Sequence, residues 1–150
     1  MTPESDLLAG HEMTDEEIAA FLTEQGTGVL SMADDGAPYG VPLSFGFDGE
    51  DRLYFLFAGH SAAGEKVTFA ERSETATFTV YDVADDDSWR SVIVEGGLDR
   101  IVIDDWKAAR RAMADNAYRP DLLADVDEHE DPRVWALDVE EWSGRRSDAD

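Results

Sequence analysis

The chain contains no cysteine, only two lysines and no long apolar run. Without cysteine, a disulfide framework, a thiolate metal site and a thiol nucleophile are all excluded. No stretch approaches the roughly 18 apolar residues that a membrane span requires, and residues 1–10 lack the basic and apolar regions of a secretory signal. We therefore expect a cytoplasmic protein with no membrane partner.

The scarcity of lysine accompanies a large excess of carboxylates. Asp and Glu number 35 against 12 Lys and Arg, which gives a net charge of -23, and lysine occurs only at Lys66 and Lys107. Such a charge repels phosphate backbones, so we expect no nucleic-acid partner. An acidic surface with arginine in place of lysine is typical of salt-accumulating microbes, and we expect a salt-adapted organism.

The rest of the composition predicts a folded domain. Hydrophobic residues make up 43% of the chain and aromatic residues 10%, which is enough for a packed core. Apolar periodicity is weak in residues 1–13 and 143–150. We expect a flexible N-terminal arm, one domain over residues 14–142 and a frayed C-terminal tail.

The periodicity predicts mostly strands. Thr14 and Glu17 form a capping box at the start of a helix over residues 14–25. A first strand is expected from Thr27, and Asp35-Gly36 after it predicts a hairpin. Further strands are expected at 39–47, 53–58, 75–81, 89–103 with a bulge at Gly96-Gly97, and 134–142, with an acidic loop at 82–88 and helices at 61–72, at 104–116 and after Pro120.

These elements predict a mainly β (α+β) fold, a six-stranded antiparallel barrel with flanking helices, because the alternation needed for a parallel sheet is absent. The strand at 39–47 contains Gly40, Ser44 and Gly46, and such small residues often mark a close approach to the backbone. Pro42 removes a ladder donor, which suits an edge or a bulge. We expect one face of this hairpin to be open to a ligand.

Metal and nucleotide motifs are missing. His11, His60 and His129 are isolated, no HExxH occurs, and residues 85–87 lack the glycine and glutamate of a calcium loop. The sequence also lacks a P-loop, GxGxxG and GxSxG. We expect no metal site, and the hydrolase, triphosphatase and Rossmann classes have no support.

Three segments together carry a resemblance. They are residues 41–45 (VPLSF) before the strand at 53–55 (LYF), residues 64–66 (GEK) at the opening of a helix, and residues 89–96 (WRSVIVEG) at the start of a long strand. In this order and spacing they resemble the FMN-binding split-barrel family of the pyridoxamine 5'-phosphate oxidase type, nearest its nitroimidazole-reductase-like branch. The resemblance covers residues 14–103 well and the remainder weakly.

The resemblance implies a homodimer that binds FMN, or less readily the deazaflavin F420, at the subunit interface. It implies that main-chain groups of Val41, Pro42, Leu43 and Ser44 meet the isoalloxazine edge. The ribityl chain and phosphate would be bordered by Phe57, Ala58, His60 and Ser61, and the phosphate would pair with Lys66. The residues beside the ring would be Trp89, Arg90 and Ser91.

Some of these roles have alternatives. A helix N-terminus near Ser61 offers N–H groups to an anion and Lys66 adds charge, although Lys66 could instead relieve local carboxylate repulsion. Glu65 stands where many family members carry a second cation, so His60 or Arg90 could substitute. Trp89 fits either ring contact or packing.

Trp142, Arg145 and Arg146 match the family poorly, and we expect them on the surface rather than at a neighbouring subunit's flavin. The resemblance implies an oxidoreductase with a small-molecule redox substrate. The flavin performs the electron or hydride transfer, so no side chain is assigned as catalytic. The alternatives are a non-enzymatic flavin-binding or regulatory module and a barrel that has lost its cofactor.

Overall fold

A computed structural model describes residues 10–57, 65–85, 88–101, 106–114 and 133–147. Seven strands and three helices occur in these ranges. In chain order they are β1 (His11–Glu12), α1 (Asp15–Glu24), β2 (Thr27–Asp34), β3 (Ala37–Phe47), β4 (Arg52–Phe57), α2 (Glu65–Arg72), β5 (Ala76–Asp85), β6 (Ser88–Ile101), α3 (Trp106–Ala114) and β7 (Arg133–Arg146).

Strands β2 to β7 form one antiparallel sheet that closes on itself. The order β7-β4-β3-β2-β5-β6 is completed by pairing of β6 back to β7, from Arg90 opposite Arg146 to Ile101 opposite Val134. The short β1 pairs with the end of β7. The predicted mainly β barrel of six antiparallel strands is confirmed. No helix in the described part of the chain is long and apolar enough to cross a membrane.

Alternate residues of every strand point into the barrel. The ring of Phe78 lies at its centre, with the rings of Phe45 and Phe55 each 4.9 Å away. Helix α1 adds its buried residues at the end where β2 begins, and α2 packs at the other end, where Phe69 stacks on Tyr39 at 5.0 Å. The two helices therefore close opposite ends of the barrel.

The predicted capping box of α1 is confirmed. The Thr14 hydroxyl accepts the Glu17 main-chain N–H at 3.1 Å, and the Glu17 carboxylate accepts the Thr14 main-chain N–H at 2.9 Å. This arrangement satisfies two N–H groups that the first turn of a helix otherwise leaves unpaired. It also fixes the position of the Glu17 side chain at the barrel end.

Helix α3 covers the outside of the barrel at β3, β4 and β7. Ala109, Ala112 and Met113 are buried there in a second core. Gly46 of β3 faces this helix, and a Cβ atom on it would lie 2.5 Å from the Met113 main-chain nitrogen. The close approach that glycine permits at this position is to α3, whereas Gly40 has no atom within 3.7 Å of its Cβ position.

A bulge is present beside the predicted glycines, but its extra residue is Glu140 of β7 and not a residue of β6. The β6–β7 register shifts between Glu95 and Gly96, where a Cβ atom would collide with the carbonyl oxygen of Asp138. An extra residue in one strand increases local bending. The bulge therefore lets one continuous strand serve both sides of the barrel.

Three predicted boundaries are wrong. Strand β5 continues beyond residue 81 to Asp85, so the predicted acidic loop starts too early. Strand β7 continues beyond Trp142 to Arg146, and β1 is ordered beside it. Ladder pairing with β6 places residues 143–146 in a strand despite their polar composition, and pairing with β7 does the same for residues 11–12. The flexibility expected for the arm and the tail stays a prediction. The start of the helix predicted from residue 61 and the helix after Pro120 lie outside the described residues.

We predict that Gly46→Ala lowers the free energy of unfolding by about 1–3 kcal/mol, because the added methyl group meets the α3 backbone. The matched change Gly40→Ala should alter it by less than about 0.5 kcal/mol, since that position is open. Denaturant titration at a fixed, high KCl concentration compares the two. Equal effects would show that α3 does not pack on Gly46.

Candidate functional site

The outer surface of β2, β3, β5 and β6 is not covered by any described helix. Across these strands Pro42 lies opposite Val29, Val29 opposite Thr79, and Thr79 opposite Ile93. In each strand the residues before and after these four point into the barrel, so the four side chains lie in one row on its outer surface. We call this surface the uncharged face. Its residues are Thr27, Val29, Pro42, Ser44, Thr79, Tyr81, Val83, Trp89, Ser91 and Ile93.

The uncharged face carries hydroxyl and apolar groups but no carboxylate, in a chain with 35 acidic residues. Tyr81, Val83 and Ile93 are 65%, 62% and 48% exposed. Charged residues lie at its border, where Arg145 is opposite Ser91 and Glu95 follows Ile93 on the same side of β6. A contiguous exposed surface of this composition is typical of a binding site or a subunit interface.

Strand β3 borders this face with an open edge. Residues 37–44 pair with β2 on one side, and pairing with β4 starts only at Phe45. Among the described residues, the other side of this stretch therefore has no ladder partner. Pro42 lies within it, which agrees with the edge position expected for a residue that lacks a main-chain donor.

The predicted ring-contacting residues divide between two sides of the sheet. Pro42 and Ser44 point outward on the uncharged face, whereas Val41 and Leu43 pack against the barrel core. For Val41 and Leu43, the predicted contact with the flavin ring is through main-chain groups, and these lie along the open edge of β3. The structure thus brings the predicted β3 segment together with the uncharged face.

On β6, Trp89 and Ser91 lie on the uncharged face, but Arg90 points the opposite way. Its guanidinium lies 4.6 Å from the centre of the Phe21 ring and pairs with Glu24 at 3.2 Å and Asp82 at 3.3 Å. Two carboxylates and an aromatic ring thus hold Arg90 at the barrel end. This placement does not support the idea that Arg90 replaces a missing phosphate ligand.

The remaining predicted residues cluster around the β4–α2 connection. Phe57 ends β4 with its backbone paired to Arg133, and Lys66 lies in the first turn of α2. Ala58, His60 and Ser61 lie outside the described residues, as do the side-chain positions of Phe57 and Lys66. The phosphate part of the predicted site therefore stays a prediction.

A cavity of about 470 Å³ opens at the barrel end beside α1. Its walls combine two predicted site residues with six that the sequence reading did not assign to a site: Glu17, Asp82, Ala84, Ser88, Trp89, Arg90, Arg146 and Ser147. Arg146 was placed on the surface because the tail was expected to fray. The capping box was the available signal for Glu17, since it identifies a carboxylate held at a helix start.

Glu17 and Arg146 form an ion pair in the cavity wall, with Nε and Oε2 3.1 Å apart. The pKa of Glu17 is lowered, first because the Thr14 main-chain N–H donates to its carboxylate and also because Arg146 is close. Glu17 therefore stays ionised to a lower pH than an ordinary glutamate. Trp142, expected on the surface, is half-buried, and its indole N–H donates to Asp15 at 2.9 Å.

A second titratable cluster lies near the β6–β7 bulge. Arg52 Nε contacts Asp138 Oδ1 at 2.7 Å, and the pKa of Asp99 is raised because its carboxyl group hydrogen-bonds with Asp138. Two carboxyl groups that share a proton resemble an acid–base pair. Asp99 is exposed, however, and lines neither the cavity nor the uncharged face, so we assign it no catalytic role. Within the described ranges, no group of three or more potential ligands could hold a metal ion.

The barrel order, the open β3 edge and the outer face can be compared with known proteins. The sequence profile described as pyridoxamine 5'-phosphate oxidase matches residues 14–146. The chain belongs to the pyridoxamine 5'-phosphate oxidase family. The family resemblance expected from the sequence is thereby confirmed, while its nitroimidazole-reductase-like branch and the salt-adapted origin stay predictions. The comparison with curated proteins finds no significant match.

Solved structures share the fold of this oxidase-family chain. A FAD-binding protein from Mesorhizobium loti has a TM-score of 0.71 at 22% identity, over 91% of this chain and 96% of its own. A putative 5-nitroimidazole antibiotic resistance protein from Bacteroides thetaiotaomicron has 0.69 at 20% identity, over 89% and 85%. A putative pyridoxamine 5'-phosphate oxidase from Corynebacterium glutamicum has 0.66 at 16% identity, over 91% and 92%.

We predict that Asp99→Asn stabilises this family member more as pH rises. The folded-state pKa of Asp99 is raised, so the protein loses stability as Asp99 deprotonates beside Asp138 above about pH 4. An asparagine amide keeps the hydrogen bond without the charge. Because the site is exposed, the melting temperature should increase by only about 1–2 °C at neutral pH.

The matched control is Glu74→Gln, which removes an exposed carboxylate elsewhere. Melting curves from about pH 3 to pH 8 compare the two variants with the parent protein. A gain that is the same at all pH values, or the same in the control, would contradict proton sharing between the two aspartates.

Proposed function

We propose that this chain is a homodimeric FMN-dependent oxidoreductase that acts on a small-molecule redox substrate. The observation that carries the proposal is the uncharged face beside the open edge of β3. Family membership and the flavin-binding proteins among the structural neighbours support a flavin as the cofactor.

The chemistry of the uncharged face suits a flavin ring. Isoalloxazine is flat and largely apolar, with hydrogen-bonding groups along one edge. Pro42, Val29 and Ile93 offer apolar contact, and Ser44 and Ser91 offer hydroxyl groups. The main chain of residues 41–44 offers groups that have no ladder partner on the β4 side within the described part of the chain. A few polar groups around an apolar surface are what orients a planar ligand.

In this proposal a second copy of the chain packs against the rest of the uncharged face. Two chains with a net charge of -23 repel each other, so an interface is favoured where carboxylates are absent. Tyr81, Val83 and Ile93 provide exposed apolar area at such a place. Members of the family are commonly dimeric.

When bound, FMN supplies hydride or electron transfer, and the protein's own groups bind and orient it and exclude water. In this proposal Trp89 and Ser91 border the ring, and Lys66 with the turn at Ser61 holds the phosphate. No side chain is required to move a proton. A non-enzymatic flavin-binding module would use the same contacts, and reduction of bound FMN by NAD(P)H followed by reoxidation by an acceptor separates the two.

We predict that Lys66→Ala weakens FMN binding by about 10- to 100-fold, because one charge-assisted contact to the phosphate is lost. Riboflavin, which has no phosphate, should bind the variant and the parent protein equally. Lys107→Ala, which removes the chain's other lysine, is the matched control. Quenching of flavin fluorescence at fixed KCl measures the affinities.

If the Lys66 variant binds FMN as tightly as the parent protein, Lys66 does not contact the FMN phosphate. A parent protein that stays colourless and ignores both flavins would overturn the proposed function itself and leave only the barrel that has lost its cofactor.

We also predict that Ile93→Asp converts the dimer to a monomer, because the new carboxylate would face its own copy or its neighbours across the interface. Thr75→Asp adds the same charge at an exposed bend outside the uncharged face and should leave the dimer intact. Light scattering in multimolar KCl measures the mass. A variant that remains dimeric would place the interface elsewhere.

A further inference from the structure

The cavity at the barrel end lies on the inner side of the sheet from the proposed flavin surface, and flavin binding does not account for it. It has a volume of about 470 Å³, within the range of small-molecule sites. Trp89 is the residue shared by the cavity wall and the uncharged face. The cavity therefore adjoins the proposed flavin site but has a separate set of ligand-facing groups.

The cavity wall contains an unusual row of charges. Asp82, Arg90 and Arg146 lie directly opposite one another on β5, β6 and β7. Two arginines side by side on adjacent strands repel, which costs stability unless anions lie between or beside them. Glu17 from α1 and Asp82 supply anions within the wall, so two positive and two negative groups line the cavity, and Glu24 outside the wall also pairs with Arg90.

The ion pairs in this wall are longer than a pair elsewhere in the barrel and are partly open to solvent. Arg146 to Glu17 is 3.1 Å and Arg90 to Asp82 is 3.3 Å, whereas Arg52 to Asp138 elsewhere in the barrel is 2.7 Å. Charge-assisted hydrogen bonds of full strength are about 2.7–2.9 Å long. All four side chains in the wall keep roughly a third or more of their surface exposed. An incoming ligand can therefore replace a wall partner at low cost.

A ligand with a single charge would suit this cavity poorly. An anion paired with the arginines would displace Glu17 or Asp82 and leave that carboxylate without its arginine, and a cation would draw Glu17 or Asp82 away from an arginine. A ligand with both charges supplies a new partner for each group that it displaces. The indole of Trp89 additionally favours a cationic nitrogen.

We propose that this cavity binds a small zwitterion that carries one cationic nitrogen and one carboxylate, of the amino-acid or betaine class. The carboxylate lies between Arg90 and Arg146, and the cationic nitrogen lies against Glu17, Asp82 and the Trp89 ring. Binding does not require flavin, because these groups face the barrel end.

The shared residue links the two sites. Two hydrogen bonds join the main chain of Trp89 to Ser147. The Trp89 N–H donates to the Ser147 hydroxyl at 3.1 Å, and the Ser147 N–H donates to the Trp89 carbonyl at 2.9 Å. A zwitterion stacked on the indole thus sits behind a strand whose backbone is fixed, and its binding should not disturb the fold.

The test uses glycine betaine and its two single-charge counterparts, choline and acetate, with the full chain. Isothermal titration calorimetry at fixed, multimolar KCl should show saturable binding of betaine, with choline and acetate at least about tenfold weaker. Betaine adds no net charge, so the salt screening stays constant during the titration. Acetate binding as tight as betaine binding would make this a simple anion site and overturn the proposal, as would the lack of saturable heat.

Two variants address opposite ends of the ligand. Arg146→Gln and Glu17→Gln should each weaken betaine binding by about tenfold. Glutamine at residue 17 still accepts the Thr14 N–H, so the capping box and α1 are retained. Arg72→Gln, which removes an exposed arginine with one carboxylate partner far from the cavity, should leave the affinity unchanged.

Melting temperatures of all three variants show whether a loss of binding is only a loss of folding. If Arg146→Gln unfolds, Glu17→Gln alone decides the outcome. Unchanged betaine affinity in a folded Glu17 variant would overturn the proposal, and so would an equal loss in the Arg72 control. Flavin affinity measured alongside distinguishes this result from failure of the proposed oxidoreductase function.

Discussion

The pairing of β6 with β7 holds the barrel together. It joins the two longest strands and closes the sheet, and the bulge at Glu140, opposite Glu95 and Gly96, lets β7 bend around the core. Because the pairing runs to Arg146, it orders a polar segment that its composition alone would leave mobile. The same pairing places Arg90 beside Arg146 and thereby builds the charged wall of the cavity.

Closure also separates the surface into regions of different chemistry. Alternation along each strand sends residues to opposite sides, so of the sequence neighbours Arg90 and Ser91 one lines the cavity and the other lies on the uncharged face. One side becomes an uncharged outer face suited to a flat ligand or a second subunit. The other becomes a barrel end closed by α1, where five charged side chains pair. The excess of carboxylates makes the uncharged face distinctive, since uncharged surface is rare in such a chain.

Much of the fold was predictable because its signals are local. The capping box at Thr14 and Glu17 and the Asp35-Gly36 turn each act over a few residues, and both were confirmed. The paired glycines indicated the place of a bulge, but not the strand that carries its extra residue. The ends of β5 and β7 were not predictable, because ladder hydrogen bonds to a distant strand hold them in place against their polar composition. The glycine at position 46 indicated that another group lies close to the β3 backbone, but not that this group is α3.

Periodicity, turn residues and net charge were enough to predict the antiparallel barrel and the acidic surface, and the resemblance of three segments was enough to indicate the family. The side of a strand that each site residue faces, and the distant residues that meet at the barrel end, depend on the folded sheet. Glu17 and Arg146 are 129 positions apart and come within 3.1 Å only because barrel closure brings the last strand beside the first helix. Register and closure are properties of the whole sheet, and a one-residue slip would exchange the two sides.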